Sequence, residues 1–254
     1  MITPADGLDE FRKLYGFDDW REPPPGGEAL FIWRFALGGQ ELPGHHAVRI
    51  DTVEQPDSPP KIESLWRPEK EDGQRAPLRV DASEASSVTE ARALLLRVLA
   101  QFQSPQIERI AEGPGDIAFG PSGYRSLVFA RANIVVVMLN AGDEVQSVEP
   151  PARELDRLLR EGPEAGRSSV RPTIRRAEVA EENVPGRRQV RLLLDAEDPL
   201  GRHVWFRFSA KRGEFSALGD GVVFKPEEEG RQAIEIAAVN ENLGVAVEQV
   251  EFTV

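Results

Sequence analysis

The chain has no cysteine among its 254 residues. This absence excludes disulfide bonds, thiol nucleophiles, iron–sulfur clusters and zinc sites with cysteine ligands. Long apolar runs are lacking as well, because the longest, Ile134 to Leu139, is only as long as a strand. A membrane-spanning helix needs about 20 mostly apolar residues, so the sequence predicts no transmembrane segment.

Positive charge is in short supply, with 31 Lys and Arg residues against 43 Asp and Glu residues and a net charge of −12. An acidic surface repels phosphate backbones, so we expect no nucleic-acid partner. The first residues, MITPADGLDEF, have neither the basic region nor the apolar core of a signal peptide. The sequence leaves open whether a signal peptide or lipid anchor was removed from ahead of Met1. It also leaves open whether the protein is extracytoplasmic or cytoplasmic.

A stretch rich in Pro, Gly and Ser, REGPEAGRSSVRPT at 160–173, separates two parts with different patterns. It lacks periodicity and follows a predicted helix that ends at Gly162. The sequence therefore predicts an N-terminal domain over 1–162, a linker over 163–173 and a C-terminal domain over 174–254.

Three helices are predicted in the N-terminal part. A short one lies near Leu8 to Tyr15, and the principal one covers 87–103, where Ser87 and Glu90 fit a capping box. The third begins at the Pro150-Pro151 pair, since the first turn of a helix tolerates a missing amide proton.

Strand patterns lie between these helices. The predicted strands include 29–37, 46–54, 124–132 and 133–141, and the last two form a hairpin if a tight turn occurs between them. Strands mixed with helices in this order predict an α+β domain, an antiparallel sheet with helices on one face.

The C-terminal part has no helical pattern. Six alternating runs are separated by turn residues at the spacing of an all-β sandwich. In one run Val204, Phe206 and Phe208 share a face that we expect to fill the core, while Trp205 points the other way, outward.

Three C-terminal segments carry a resemblance: DAEDPLGRHVWFRFSAKRGEF, VVFKPEEEGRQAIEIAAVNENLG and the final strand VEFTV. They resemble bacterial immunoglobulin-like modules of the PKD or cadherin-like kind, which implies an Ig-like sandwich that mostly presents binding surfaces. The N-terminal GDIAFG, SLVFARANIVVVMLNAG and ARELDRLL are similar to the end of small α+β domains of bacterial secreted proteins, including the LpqN/PsbP-like group. That resemblance implies no catalytic residues.

Asp195, Glu197 and Asp198 could supply hard oxygen ligands for calcium, which is the one candidate cofactor. Cadherin-like modules bind calcium where such acids meet a neighbouring module, so the resemblance implies the same here. Yet no DxDxDG loop occurs, and Asp198-Pro-Leu-Gly201 is also typical of a plain β-turn.

A second candidate is a polar site that contains His45 and His46 with Arg131 and Asn133. Adjacent residues of a strand point to opposite faces, so the two histidines seldom bind one ion together. Nucleophile-elbow, P-loop and dinucleotide motifs are absent, and no catalytic residue is assigned.

Phe31, Trp33 and Phe35 lie on one face of the predicted strand at 29–37, which is either core or an exposed binding patch. The leading hypothesis is a non-enzymatic, extracytoplasmic bacterial protein that binds a protein partner or assembles an envelope scaffold. One alternative is a ligand-binding or enzymatic N-terminal domain that uses the two histidines. The other is a cytosolic subunit that binds a partner.

Overall fold

The computed structural model describes residues 13, 28–55, 58–69, 77–101, 107–164, 166–184 and 187–254. The described part of the chain is mostly β-structure, with two helices. The strands are β1 (Ala29–Trp33), β2 (His45–Gln55), β3 (Ser58–Pro68), β4 (Leu78–Glu84), β5 (Glu108–Arg109), β6 (Ile117–Gly120), β7 (Ser126–Arg131), β8 (Ile134–Asn140), β9 (Thr173–Val184), β10 (Arg187–Glu197), β11 (Val204–Ala210), β12 (Glu214–Leu218), β13 (Gly221–Lys225), β14 (Arg231–Asn240) and β15 (Val245–Thr253). The helices are α1 (Val88–Gln101) and α2 (Glu149–Glu161).

Seven strands form one antiparallel sheet in the order β2-β3-β4-β8-β7-β6-β5. The predicted hairpin is confirmed, because β7 and β8 pair through a two-residue turn at Ala132 and Asn133. Ahead of α1, the Glu90 amide donates to Ser87 Oγ at 3.1 Å, as a capping box requires. The Glu90 carboxylate in turn accepts from the amide of Ser86 at 2.7 Å.

The two helices lie on opposite faces of this sheet, so the prediction that helices cover one face is wrong. On β8, Ile134, Val136 and Met138 join the apolar cluster of α2, whereas Val135 and Val137 pack in the cluster of α1. Strands that are apolar at nearly every position must be buried on both faces. The continuous apolar run of β8 is the sequence signal for a helix on each side.

The remaining strands form two four-stranded antiparallel sheets, in the orders β1-β11-β14-β15 and β12-β13-β10-β9. Phe31 and Phe208 of the first sheet share an apolar cluster with Phe215 and Phe224 of the second. Phe215 and Phe224 lie with ring centroids 4.6 Å apart. Two sheets that meet through such a cluster are compatible with a β-sandwich, and we refer to them together as the sandwich.

The strand predicted at 29–37 belongs to the sandwich and not to the N-terminal sheet. β1 pairs with β11 in a register that places Phe31 opposite Phe208. The strand ends at Trp33 because Arg34 adopts a positive φ of 60°. Phe31 and Trp33 therefore lie inside the sandwich, while Phe35 packs in a different cluster. These aromatic side chains are core, and the expected common face does not extend to Phe35.

The seven-stranded sheet and the sandwich share a hydrophobic cluster. Trp205 and Val239 of the sandwich belong to the same cluster as Trp66 of the sheet and Leu155 of α2. Trp205 does face away from the sandwich interior, but it is only 1% exposed because this cluster covers it. Its indole contacts Phe35 edge-on, with ring centroids 5.5 Å apart. The domain boundary at 163–173 stays a prediction.

Polar contacts support the same junction. The Asn133 side chain accepts from the amide of Ile32 at 2.8 Å and donates to the carbonyl oxygens of Ile32 and Ala85 at 2.7 and 2.9 Å. The Glu84 carboxylate accepts from the amides of Arg34 and Phe35. The short helix predicted near Leu8 to Tyr15 lies outside the described residues, apart from Lys13. Neither described helix is long and apolar enough to cross a membrane.

Candidate functional site

Asp198 lies in the turn between β10 and β11, with its side chain fully buried. Its carboxylate forms two ion-paired hydrogen bonds with Arg202, at 2.9 and 3.0 Å. The Asn240 amide donates to it at 2.6 Å, and the backbone amide of Leu200 donates at 2.9 Å. The Arg202 guanidinium, with these other donors, holds the pKa of this carboxyl well below its usual range.

Asn240 extends this network to the β14–β15 turn and to the segment that precedes β9. Its side-chain oxygen accepts from the amides of Asn242 at 3.1 Å and Gly244 at 2.8 Å. Its amide nitrogen donates to the carbonyl oxygen of Val170 at 3.1 Å. A Cβ added at Gly244 would lie 2.0 Å from that same oxygen, so the sequence needs glycine there. The network joins two turns and the predicted linker at one end of the sandwich.

The structure does not bring the three predicted calcium ligands together. Asp195 and Glu197 are exposed, and Glu197 pairs with Arg175. The oxygens of Asp198 already accept hydrogen bonds from four groups. Among the residues that the structure describes, no three His, Asp or Glu side chains are grouped to hold a metal ion. Calcium stays a prediction that this geometry does not support.

A cavity of about 320 Å³ opens beside this turn. Arg34 and His203 contribute positive or ionisable groups to its wall, and Asp195 and Glu197 contribute carboxylates. The His203 Nε2 atom lies 2.7 Å from the carbonyl oxygen of Arg34, so the ring bridges β1 to the approach of β11. Charges of both signs line the cavity, and no single ligand charge is favoured.

The predicted polar site is divided between the two ends of the seven-stranded sheet. His45 pairs with Pro68 on β3. The register across β3 and β4 places this pair toward the Asn140 end of β8. Arg131 and Asn133 lie beyond the other end of β8. That strand has seven residues, and a rise of about 3.4 Å per residue separates its ends by about 20 Å.

Arg131 and Asn133 both hold the fold together. Arg131 donates to Asp156 of α2 at 2.7 and 3.0 Å and also pairs with Asp116. Burial is the main cause that raises the pKa of Asp116, although Arg131 opposes the effect. His46 is exposed, while His45 is half-buried and its Nδ1 lies 3.2 Å from the carbonyl oxygen of Pro43.

The buried carboxyl of Glu41, which is 2% exposed, was not among the site residues predicted from the sequence. It accepts hydrogen bonds from the amides of Gly38 at 2.6 Å, Gly39 at 2.9 Å and Gln40 at 3.0 Å. Burial raises its pKa, and the amide donors only partly oppose that effect. A Cβ at Gly38 would lie 2.0 Å from the carbonyl oxygen of Glu241. The Gly-Gly pair ahead of a glutamate was the available signal.

Edge strands were also missed, and here the sheets differ. The sandwich edges flank each other in pairs, since β1 lies alongside β12 and β9 lies alongside β15. In the seven-stranded sheet, β5 has only two residues, whereas β2 at the other edge has eleven. No described strand pairs with the outer side of β2. Among the edge strands that no other described strand flanks, β2 is therefore the longest.

The outer strand β2 also exposes apolar and charged side chains. Val48 is 42% exposed and Ile50 is 37% exposed. Arg49 and Asp51 flank Ile50 and form an ion pair with each other. Irregular pairing occurs between Ala47 and Arg49 and again after Val53, which leaves a regular central segment over 49–53.

Comparison with known proteins adds no relative to this description. No protein-family model, no curated protein and no solved structure is significantly similar to the chain, so both resemblances remain predictions.

Proposed function

We propose that the protein is a non-enzymatic binding protein whose β2 edge accepts a strand from a protein partner. The observation that carries the proposal is an eleven-residue edge strand with exposed Val48 and Ile50 and no described neighbour on its outer side. An extended partner segment gains main-chain hydrogen bonds along such an edge, and its alternate side chains read the surface. Natural proteins cover or interrupt their edges, so a long open edge calls for an explanation.

The polar residues with the best geometry support a non-enzymatic role. Arg131, Asn133 and Asp198 each make several buried or partly buried hydrogen bonds that join separate elements. Groups held in this way orient the fold and are not directed toward a substrate. The two histidines lie on β2, at the opposite end of the sheet from Arg131 and Asn133, so the enzymatic alternative gains no support.

In this proposal the protein has two domains, an α+β domain over 1–162 and an Ig-like sandwich over 174–254. Strand β1 is added to the sandwich. Arg207 of the sandwich donates to the carbonyl oxygen of Arg160 at the end of α2, at 2.9 Å. That contact and the shared hydrophobic cluster support a scaffold in which the two domains are held together. An extracytoplasmic location follows from the resemblance to bacterial surface modules, and fractionation of cells that express the native gene tests it.

A photo-crosslinking amino acid tests the edge. Placed at Val48 on β2, it should form protein adducts in the source cells. The matched control places it at Val247 on β15, which is 59% exposed but lies on an edge that β9 flanks. The adducts at Val48 should disappear when Ile50→Pro disrupts the edge strand, with folding checked by circular dichroism. Equal adducts at both positions, or none at Val48, would contradict the proposal.

A further inference from the structure

We propose that the partner strand is β2 of a second copy of this chain, paired antiparallel about a two-fold axis at Ile50. The two seven-stranded sheets would then continue into each other across the edge. This inference rests on the proposed function of the same edge and names its partner. It is carried by the order of the charges along β2.

The symmetry limits how two copies of β2 can pair. A two-fold axis perpendicular to the sheet keeps each side chain on the same face. The axis must therefore pass midway between the two copies of one residue, which lie directly opposite each other. In the regular segment over 49–53, every register is therefore defined by its central residue.

Centring the pair on Ile50 matches the charges. Arg49 of each copy lies opposite Asp51 of the other, and the two isoleucines face each other at the middle. Cross-strand pairs of opposite charge stabilise antiparallel strands. The Arg49 and Asp51 side chains are 70% and 42% exposed, so both can reach a second strand. The exposed Ile50 supplies an apolar contact at the centre, where interfaces are driest.

Neighbouring registers place like charges together. A shift of the axis to Arg49 sets arginine against arginine, and a shift to Asp51 sets aspartate against aspartate. Like charges directly opposite destabilise a strand pair. Moving the axis to Thr52 brings no opposite charges together, because Asp51 then faces Val53 and Arg49 faces Gln55. The register on Ile50 is thus selected by charge.

The edge strand β15 of the sandwich lacks this charge pattern. It contains Glu248 and Glu251 and no Lys, Arg or His. No register of β15 against itself can form an oppositely charged pair, and β9 flanks that edge. Strand β9 does contain an Arg176–Glu178 pair with the same spacing, but it lies alongside β15.

Charge reversal tests the register. The unmodified chain should show a concentration-dependent monomer–dimer equilibrium in sedimentation velocity. Arg49→Asp alone and Asp51→Arg alone should each weaken the dimer by at least about tenfold, since each places four like charges around the axis. An equimolar mixture of the two variants should form a heterodimer, seen by native mass spectrometry, because every opposed pair is then of opposite charge.

Arg176→Asp is the matched control, because it breaks an ion pair of the same spacing on a flanked edge. It should leave the dimer dissociation constant unchanged. The proposal is overturned if the unmodified chain stays monomeric up to about 1 mM, where even weak complexes are seen. It is also overturned if Arg49→Asp leaves dimerisation intact or if the mixture fails to form a heterodimer.

A cysteine tests the axis independently, and the chain has no other thiol. Residues directly opposite in an antiparallel pair have Cα atoms about 4.5–5.5 Å apart, within the range that a disulfide spans. Ile50→Cys should therefore give a disulfide-linked dimer on mild oxidation, whereas Val247→Cys should not. Equal crosslinking of both variants, or none at position 50, counts against the axis.

The outcomes separate this inference from the function on which it rests. If copies do not associate but the crosslinker at Val48 captures a different protein, the second copy is excluded and strand addition at β2 stands. If neither a second copy nor another protein is captured, both proposals fail.

Discussion

At the turn end of the sandwich and at the hairpin end of the seven-stranded sheet, an arginine pairs with carboxylate side chains. The carboxyl pKa is shifted in opposite directions at the two sites. At the sandwich turn, Arg202 and other donors surround one carboxylate and lower the pKa of Asp198. At the hairpin, one arginine is shared by Asp116 and Asp156, and burial raises the pKa of Asp116. The comparison indicates that a buried carboxyl keeps a low pKa only when it has enough hydrogen-bond donors of its own to offset the cost of burial.

Breaking the sandwich network should have the largest effect on stability. Asn240→Ala removes the side chain that joins Asp198, Val170 and the β14–β15 turn, and it leaves buried donors and acceptors unpaired. We expect the free energy of unfolding to fall by about 4 kcal/mol. Urea denaturation measures the change.

The control for that experiment is Asn242→Ala in the same turn, because the Asn242 side chain is exposed. It should change the free energy of unfolding by less than about 0.5 kcal/mol. A similar loss for both variants would show that the turn itself, and not the Asn240 network, holds the sandwich end.

Breaking the hairpin cluster should cost less, and the cost should depend on pH. Arg131→Met leaves Asp116 and Asp156 without their shared cation, which we expect to cost about 3 kcal/mol at pH 7. At pH 5 the cost should be smaller, because burial raises the pKa of Asp116 and favours protonation of that carboxylate. Denaturation at both pH values tests this, and an equal loss at each would contradict it. Arg231→Met, at an exposed ion pair, is the control and should have almost no effect.

The unmodified protein should become more stable when the pH falls from neutral toward about 5. Burial raises the pKa of Glu41, Glu84 and Asp116, so the folded state binds protons more tightly than the unfolded state in this window. Stability therefore declines as pH rises through the folded pKa values. Below a pH of about 4 the stability should fall again. The pKa of Asp198 is lowered in the folded state, so the stability that its ionised carboxylate contributes is lost on protonation.

The free energy of unfolding should be measurably higher at pH 5 than at pH 7. Thermal or urea unfolding at several pH values measures it. Glu84→Gln should reduce the gain, whereas Glu248→Gln on the exposed face of β15 should not. A stability that only falls on acidification would show that surface ion pairs outweigh the buried carboxyls.

Local patterns predicted most of the elements but not how they join. The capping residues Ser87 and Glu90 and the alternation of Val204, Phe206 and Phe208 depend on near neighbours, so the sequence reveals them. The pairing of β1 with β11 joins residues that are far apart in the chain, and nothing in the segment 29–37 indicates it. The turn at Arg34, which ends β1, depends on the distant Glu84 carboxylate.

The candidate sites show the same limit. Asp198 was predicted from the sequence as a candidate calcium ligand, but its partner Asn240 lies 42 positions away and decides its role. The members of the predicted polar site lie at two ends of the sheet because the sheet register, and not spacing in the sequence, sets which residues meet. Edge strands are equally invisible, since β2 alternates polar and apolar residues much as an inner strand does.

The smallest expected effect concerns calcium and sharpens the comparison between the two carboxylate clusters. Asp198 has its oxygens occupied by Arg202, Asn240 and backbone amides, so a calcium ion would have to displace several hydrogen bonds to bind there. We therefore expect calcium or a chelator to shift the melting temperature by less than about 1 °C, because a ligand that does not bind the folded state cannot stabilise it. A larger shift that Glu197→Gln abolishes would show that the exposed acids bind calcium after all. In that case the hydrogen bonds to Asp198 would not prevent calcium from binding at this turn.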